Sequence, residues 1–137
     1  MSLSEIETLR RLRRHRADRA ERALGEAKRR QRALQTHIAQ AQDDLEQTRL
    51  QESRQSADLL NQHQGQVVSF QALKAWGTKE RTLSAQTQRE EGRLLALQRQ
   101  REDQVVEVDS AQKRASQCLR EVEKLQELSI LLAEEQV

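Results

Sequence analysis

Apolar residues recur along the chain at alternating steps of three and four. The first series runs Leu3, Ile6, Arg10, Arg13, Ala17, Ala20, Leu24, Ala27, Gln31, Leu34, Ile38, Ala41, Leu45, Thr48, and ten of these fourteen positions are apolar. A mean step of about 3.5 residues is the period of a coiled-coil seam, because it keeps one stripe of a helix facing a partner helix. Between Glu52 and Gln66 the series turns polar, with Leu59 and Leu60 as its bulky residues. A second series then runs from Leu73 and Trp76 through Glu80, Leu83, Thr87, Glu90, Leu94, Leu97, Arg101, Gln104, Val108, Ala111, Ala115, Cys118, Val122, Leu125 and Ser129 to Leu132, with twelve of eighteen positions apolar.

Two periodic segments with a polar break predict two helices, the first over about residues 3–60 and the second over about 69–134, joined by a turn over 61–68. Gly65 suits the left-handed conformation that ends a helix. Ser69 is placed to cap the second helix, its hydroxyl accepting from a main-chain N–H of the first turn. Folding the chain back about Gly65 brings residues together whose numbers add to about 131 or 132. Ala20 then meets Ala111, Ala17 meets Ala115, Ile38 meets Leu94, and Gln31 with Arg101 joins Ala27 with Gln104 in one polar layer. Near the turn the same register sets Trp76 opposite Gln55 and Glu80 opposite Glu52, which makes a poor seam there. The expected fold is all-α, a long two-helix antiparallel coiled-coil hairpin forming a single domain over 1–137, each arm about 90 Å at 1.5 Å per residue.

Composition narrows the class further. The 137 residues include no Pro, four Gly, one Trp, one Phe and no Tyr, and 34% are charged. Apolar volume is short for a layered globular core and sufficient for a seam between helices. Disorder is the competing reading of so polar a chain, but the sustained apolar repeat and the lack of Pro argue against it. The formal net charge is only +2. Its distribution is uneven: residues 1–34 carry 11 Lys/Arg against 5 Asp/Glu, whereas residues 118–137 carry 2 against 5. An antiparallel fold sets the basic stretch beside the acidic one, with Arg10, Arg11 and Arg14 near Glu121 and Glu123. A parallel homodimer would instead oppose Arg10 and Arg13 to their own copies, so the expected state is a monomer.

No arrangement for enzymatic chemistry is present, and no catalytic, cofactor-binding or metal-ligating residue is expected. His15, His37 and His63 are far apart and lack a Cys or His at ligand spacing, so each is read as a solvent-facing helix residue. Phosphate-binding glycine loops and nucleophile elbows are missing. The single Cys118 falls in the second seam series and is expected in the core. It has no partner for an internal disulfide, which suits a reducing compartment. No apolar run approaches the roughly 20 residues that span a bilayer, so direct membrane insertion is not expected.

Two clusters stand out as candidate partner-binding sites. Arg10, Arg11, Arg13, Arg14, Arg16, Arg19 and Arg22 concentrate positive charge, and two of them occupy seam positions. A solvated face and an acidic protein partner weigh about evenly for this run. Nucleic acid is disfavoured, because no aromatic is interleaved with the arginines. Val67, Phe70, Leu73 and Trp76 gather both aromatics just after the turn, either capping it or anchoring a partner.

Within these clusters the segment Arg16-Ala-Asp-Arg-Ala-Glu-Arg-Ala23 resembles the R-x-x-R-A-E-x-A signature of the YscO/HrpO stalk proteins of bacterial type III secretion, relatives of the flagellar FliJ protein. Leu73-Lys-Ala-Trp76 resembles that family's L-x-x-W after the turn. Length, charge and the two-helix pattern are similar over nearly the whole chain, although the seam here is richer in alanine and glutamine. The resemblance implies a central stalk in the bacterial cytoplasm, peripheral to the inner-membrane export apparatus. It implies as partners a hexameric secretion ATPase, contacted by the arginine cluster, an export-gate membrane protein, met by the Phe70–Trp76 group, and secretion chaperones. Two other classes stay open: a homo-oligomeric coiled-coil scaffold or tether, and a basic nucleic-acid-binding helix.

Overall fold

A computed structural model describes residues 2–136. Two helices, α1 (Leu3–His63) and α2 (Phe70–Glu135), account for nearly all of them, and no strand occurs among the described residues. The helices pack against each other as an all-α hairpin. α1 runs on past the expected end at residue 60 to His63. Its start is fixed by a reciprocal capping box that the seam pattern did not reveal: Glu5 N–H donates to Ser2 Oγ at 3.2 Å, and Ser2 N–H donates to Glu5 Oε2 at 3.1 Å. α2 begins as expected, with Ala72 N–H donating to Ser69 Oγ at 3.1 Å. At the turn Gly65 takes a φ of 76°, the left-handed conformation that a side chain would oppose.

Packing divides into two compact units: residues 1–33 with 101–137, and residues 34–100. In the first, Arg13 contacts Glu121 and Ala27 contacts Gln104, so the α2 number falls as the α1 number rises and the helices run antiparallel; Arg30 also pairs with Glu107 across the helices. Its core is Ile6, Ala17, Ala20, Ala27, Ala115, Val122 and Leu125. Alanines dominate because a narrow seam gains more from close backbone approach than from bulk. Gln104 Nε2 donates to the Ala27 carbonyl at 3.0 Å, the expected polar layer, while Arg101 of that layer is exposed.

The second unit, containing the turn, is also antiparallel: Arg49 pairs with Glu91, Ser56 with Glu80 and His63 with Trp76. Ile38, Ala41, Leu45, Thr48, Leu59 and Thr87 are its buried residues. Here the expected opposition of Trp76 to Gln55 and of Glu80 to Glu52 does not occur. Trp76 meets His63, Glu80 accepts from Ser56, and Glu52 accepts from the Thr87 hydroxyl. The contacting pairs here add to 136–140 instead of 131 or 132, and side-chain direction accounts for part of that difference. Helical side chains lean toward their own N-terminus, so in antiparallel helices the two sets lean in opposite senses along the seam. Two long side chains therefore meet when both residues lie further along their helices than the backbone levels suggest. Glu52, Ser56, Leu59 and His63 thereby carry the seam through the stretch whose polarity had marked it as a break.

Glycine substitutions separate the turn from the helices. Gly65→Ala should lower stability by about 1 kcal/mol, because alanine pays for positive φ. Gly92→Ala meets nothing within 4 Å and should raise stability by about 0.5–1 kcal/mol. Urea unfolding followed by helical circular dichroism measures both; equal shifts in one direction would contradict this account of the turn.

Candidate partner-binding surfaces

Helical spacing decides which arginines are free to act. Arg10 and Arg13 recur at the three- and four-residue steps of the seam and are half-buried, whereas Arg11, Arg14, Arg16, Arg19 and Arg22 are exposed. Arg13 is held by structure: its Nη1 donates to the Glu121 main-chain carbonyl at 2.8 Å. A guanidinium is tolerated beside a seam because its methylene stem packs while its head finds an acceptor. The basic stretch and the acidic stretch that the fold sets beside it form no ion pair with each other among the described residues. Among the described residues the ion pairs are Arg30–Glu107, Arg49–Glu91 and Asp109–Lys113, and none engages the seven clustered arginines or Glu121 and Glu123.

The arginines do not act as one face. Leu12, Arg16 and Arg19 fall on one flank of α1, spaced by four and three residues, with Arg22 three further along that side, and Arg11 and Arg14 lie elsewhere around the helix. On that flank α2 brings up Arg114 and Cys118, and the five residues with His15 line a hollow of about 380 Å³. Sequence reasoning missed Arg114, which is distant in number and carries no local signal. Only the antiparallel register places it beside Arg16 and Arg19. Cys118, expected in the core, is half-buried at this hollow. The Cβ of a seam residue faces the partner, but an alanine-rich neighbourhood leaves its sulfur partly uncovered.

In the second unit the group after the turn divides in the same way. Val67 is fully exposed, Phe70 is 77% exposed and Leu73 57% exposed. Phe70 and Leu73 are a turn apart on one side of α2. Trp76 is different: it turns into the seam, half-buried, stacked on His63 with ring centroids 5.0 Å apart, and its Nε1 donates to Glu80 Oε1 at 3.1 Å. Stacking also corrects the expectation that all three histidines face solvent: His15 and His37 do, but His63 is half-buried against the indole. Trp76 is thus a closing element of the hairpin, and Val67, Phe70 and Leu73 are what remains available to a partner.

Among the described residues no group of three or more His, Cys, Asp or Glu side chains is placed to hold a metal ion. No helix among them is long and apolar enough to cross a membrane.

As the chain's single tryptophan, Trp76 reports on this closure. His63→Ala should shift its emission to the red and destabilise the protein by about 0.5–1.5 kcal/mol, the range for a stacked aromatic pair. An unchanged spectrum and midpoint would mean that the imidazole does not cover the indole in solution.

Comparison with protein-family models, with curated proteins and with solved structures finds no match to this chain.

Proposed function

We propose that the chain is a non-enzymatic central stalk of a bacterial type III secretion ATPase complex, coupling the hexameric ATPase to the export gate. The observation that carries this reading is where two side-chain clusters fall on the helical hairpin. The seven clustered arginines, none in an ion pair among the described residues, lie in the unit of residues 1–33 and 101–137, and the chain's Phe and Trp lie together in the unit of residues 34–100. The segments Arg16–Ala23 and Leu73–Trp76 that resemble the YscO/HrpO family fall on these same two surfaces. In this reading Arg16, Arg19 and Arg22 meet the ATPase ring and Arg10 and Arg13 shape the seam beneath them. Val67, Phe70 and Leu73 meet the export gate or a secretion chaperone, while Trp76 holds the turn they sit on. The protein works in the cytoplasm beside the inner membrane, binds no nucleic acid and acts as a monomer.

A stalk needs surfaces rather than a pocket. Long helices supply them without a globular body, since each residue outside the seam is available for contact. A homo-oligomeric scaffold is the second reading, favoured by one observation: Leu128 and Leu131, a turn apart on one side of α2, are both exposed. Contiguous apolar surface of that kind marks association sites.

Light scattering coupled to size exclusion tests the two readings. The stalk reading expects a monomeric mass alone and, with a purified hexameric secretion ATPase, a complex of about one copy per ring. Replacing Arg16, Arg19 and Arg22 together by Glu should weaken that complex at least tenfold and abolish any stimulation of hydrolysis, with helicity retained. A stable dimer indifferent to the ATPase would overturn the stalk reading in favour of the scaffold.

A further inference from the structure

Arg114 belongs to two hollows on the same flank of the first unit. One is the basic hollow shared with Arg16 and Arg19. The other, of about 550 Å³, adjoins it through Arg114 and is floored by Ala20, Ala23, Val106 and Ala111, with Asp103 and Glu107 on its wall. Together they make a furrow between α1 and α2 that is basic in one part, small and apolar along its floor, and acidic in the other. We propose that this furrow is the docking site for an acidic amphipathic helix of a protein partner. Its carboxylates lie over Arg16, Arg19 and Arg114, and its apolar side lies on Ala20, Ala23 and Val106.

Charge sets the sign of the occupant. Three guanidinium groups from two helices line one hollow, and among the described residues none of the three is engaged in an ion pair. Guanidinium groups offer paired N–H donors that fit a carboxylate in two-point contact, so an acidic side chain gains geometry as well as charge neutralisation. The floor sets the shape. Alanines let a third backbone approach closely, and Val106, 69% exposed, and Leu12, 56% exposed, offer apolar area that the hairpin leaves uncovered. The acidic wall sets the direction and excludes the other polyanion. Asp103 lies on the furrow with no ion pair among the described residues, so a phosphate backbone following the arginines would run into like charge. No Phe, Tyr or Trp lines either hollow and His15 is the single ring there, so there is no row of platforms for successive stacked bases. Glu107 is already matched by Arg30 at 3.1 Å, which leaves Asp103 to receive a basic residue of the partner helix.

The furrow shares the arginines of the stalk reading but not its identification of the partner, and it adds Arg114, which that reading does not use. The test uses the full chain and a fluorescein-labelled synthetic helix of about 20 residues, glutamate on one face and leucine on the adjoining one, with fluorescence anisotropy as the readout. The glutamate peptide should bind, and its glutamine counterpart should bind at least tenfold more weakly. Arg114→Glu should weaken binding at least tenfold. Ala23→Trp, which fills the floor without changing charge, should do the same, and Arg11→Glu, on another face of α1, should change it less than twofold. Circular dichroism on each variant shows that the helices persist.

Equal effects of Arg11→Glu and Arg114→Glu would reduce the site to diffuse charge and overturn the proposal. So would equal binding of the glutamine peptide, or a single-stranded RNA of the same charge binding as tightly with the same dependence on Arg114. A dimer of the protein alone that Arg114→Glu dissociates would overturn it too, by assigning the furrow to a second copy. If the peptide binds as described but no secretion ATPase does, the furrow stands and the stalk reading falls. If an ATPase binds but the glutamate peptide does not, or binds with full indifference to Arg114→Glu and Ala23→Trp, the stalk reading stands and the furrow falls.

Discussion

Burial of one narrow stripe of each helix against the other is the constraint on which this protein depends. A helix of 61 residues and one of 66 have no third layer to pack against. Intrinsic propensity alone is a weak source of order, and most helical stability in proteins comes from packing an apolar face. Every residue on the stripe is therefore committed, and every residue off it is free for other work. That division explains the economy of the sequence: Ile6, fully buried, and a run of alanines suffice in the first unit, because the seam needs continuity more than volume. It also explains the cost of polar intrusions. In the second unit the buried Thr87 and the half-buried Glu52 satisfy each other, and Ser56 does the same for Glu80, so the seam closes through hydrogen bonds where it lacks leucines. Glu90 is the exception, with a buried Oε2 that has no hydrogen-bond partner, and it weakens the seam locally because a desolvated acceptor loses its water without compensation.

The fold was legible because a seam writes its period directly into the sequence. Of the first series only Leu3 is exposed, and of the second only Leu73 and Arg101, so the three-four spacing identified the packed stripe almost residue by residue. Gly65 and Ser69 were legible for a different reason: each has a local backbone task that few residue types perform. What was not legible is the detail across the seam. A register counted from Cα levels treats side chains as perpendicular, whereas they lean in opposite senses on antiparallel helices. That accounts for part of the eight residues between Gln55 and His63, and the rest is a register displaced from the one counted about Gly65. The capping box at Ser2 and Glu5 was within reach, since its S-x-x-E spacing is present, but it lies outside the three-four series because neither residue belongs to the packed stripe.

The candidate surfaces were legible in composition and not in geometry. Seven clustered arginines and a Phe-Leu-Trp group are visible in any reading of the chain. Whether they form one surface depends on angle around a helix and on which residues of the other helix arrive alongside. Trp76 left its group because the seam position takes it inward. Arg114 joined the other because it sits on the flank of α2 that borders Arg16 and Arg19. Sequence proximity therefore overstated one cluster and hid a member of the second.

The arginines that enter the seam bear on why the exposed ones remain unpaired. Arg13 takes a main-chain carbonyl as its acceptor, not a carboxylate. A carboxylate partner at that level would neutralise the flank and draw the neighbouring guanidinium groups into an internal network, as Arg30 is drawn to Glu107. A carbonyl satisfies the one buried donor and leaves the positive potential of the flank intact. Exposed ion pairs contribute only about 0–1 kcal/mol each, so forgoing them costs the fold little. The retained charge acts at longer range, where a concentrated potential speeds encounter with an oppositely charged partner. In the function proposed above, a surface of this kind, stabilised beneath by the seam and left uncompensated above it, serves to meet another protein rather than to hold its own helices together.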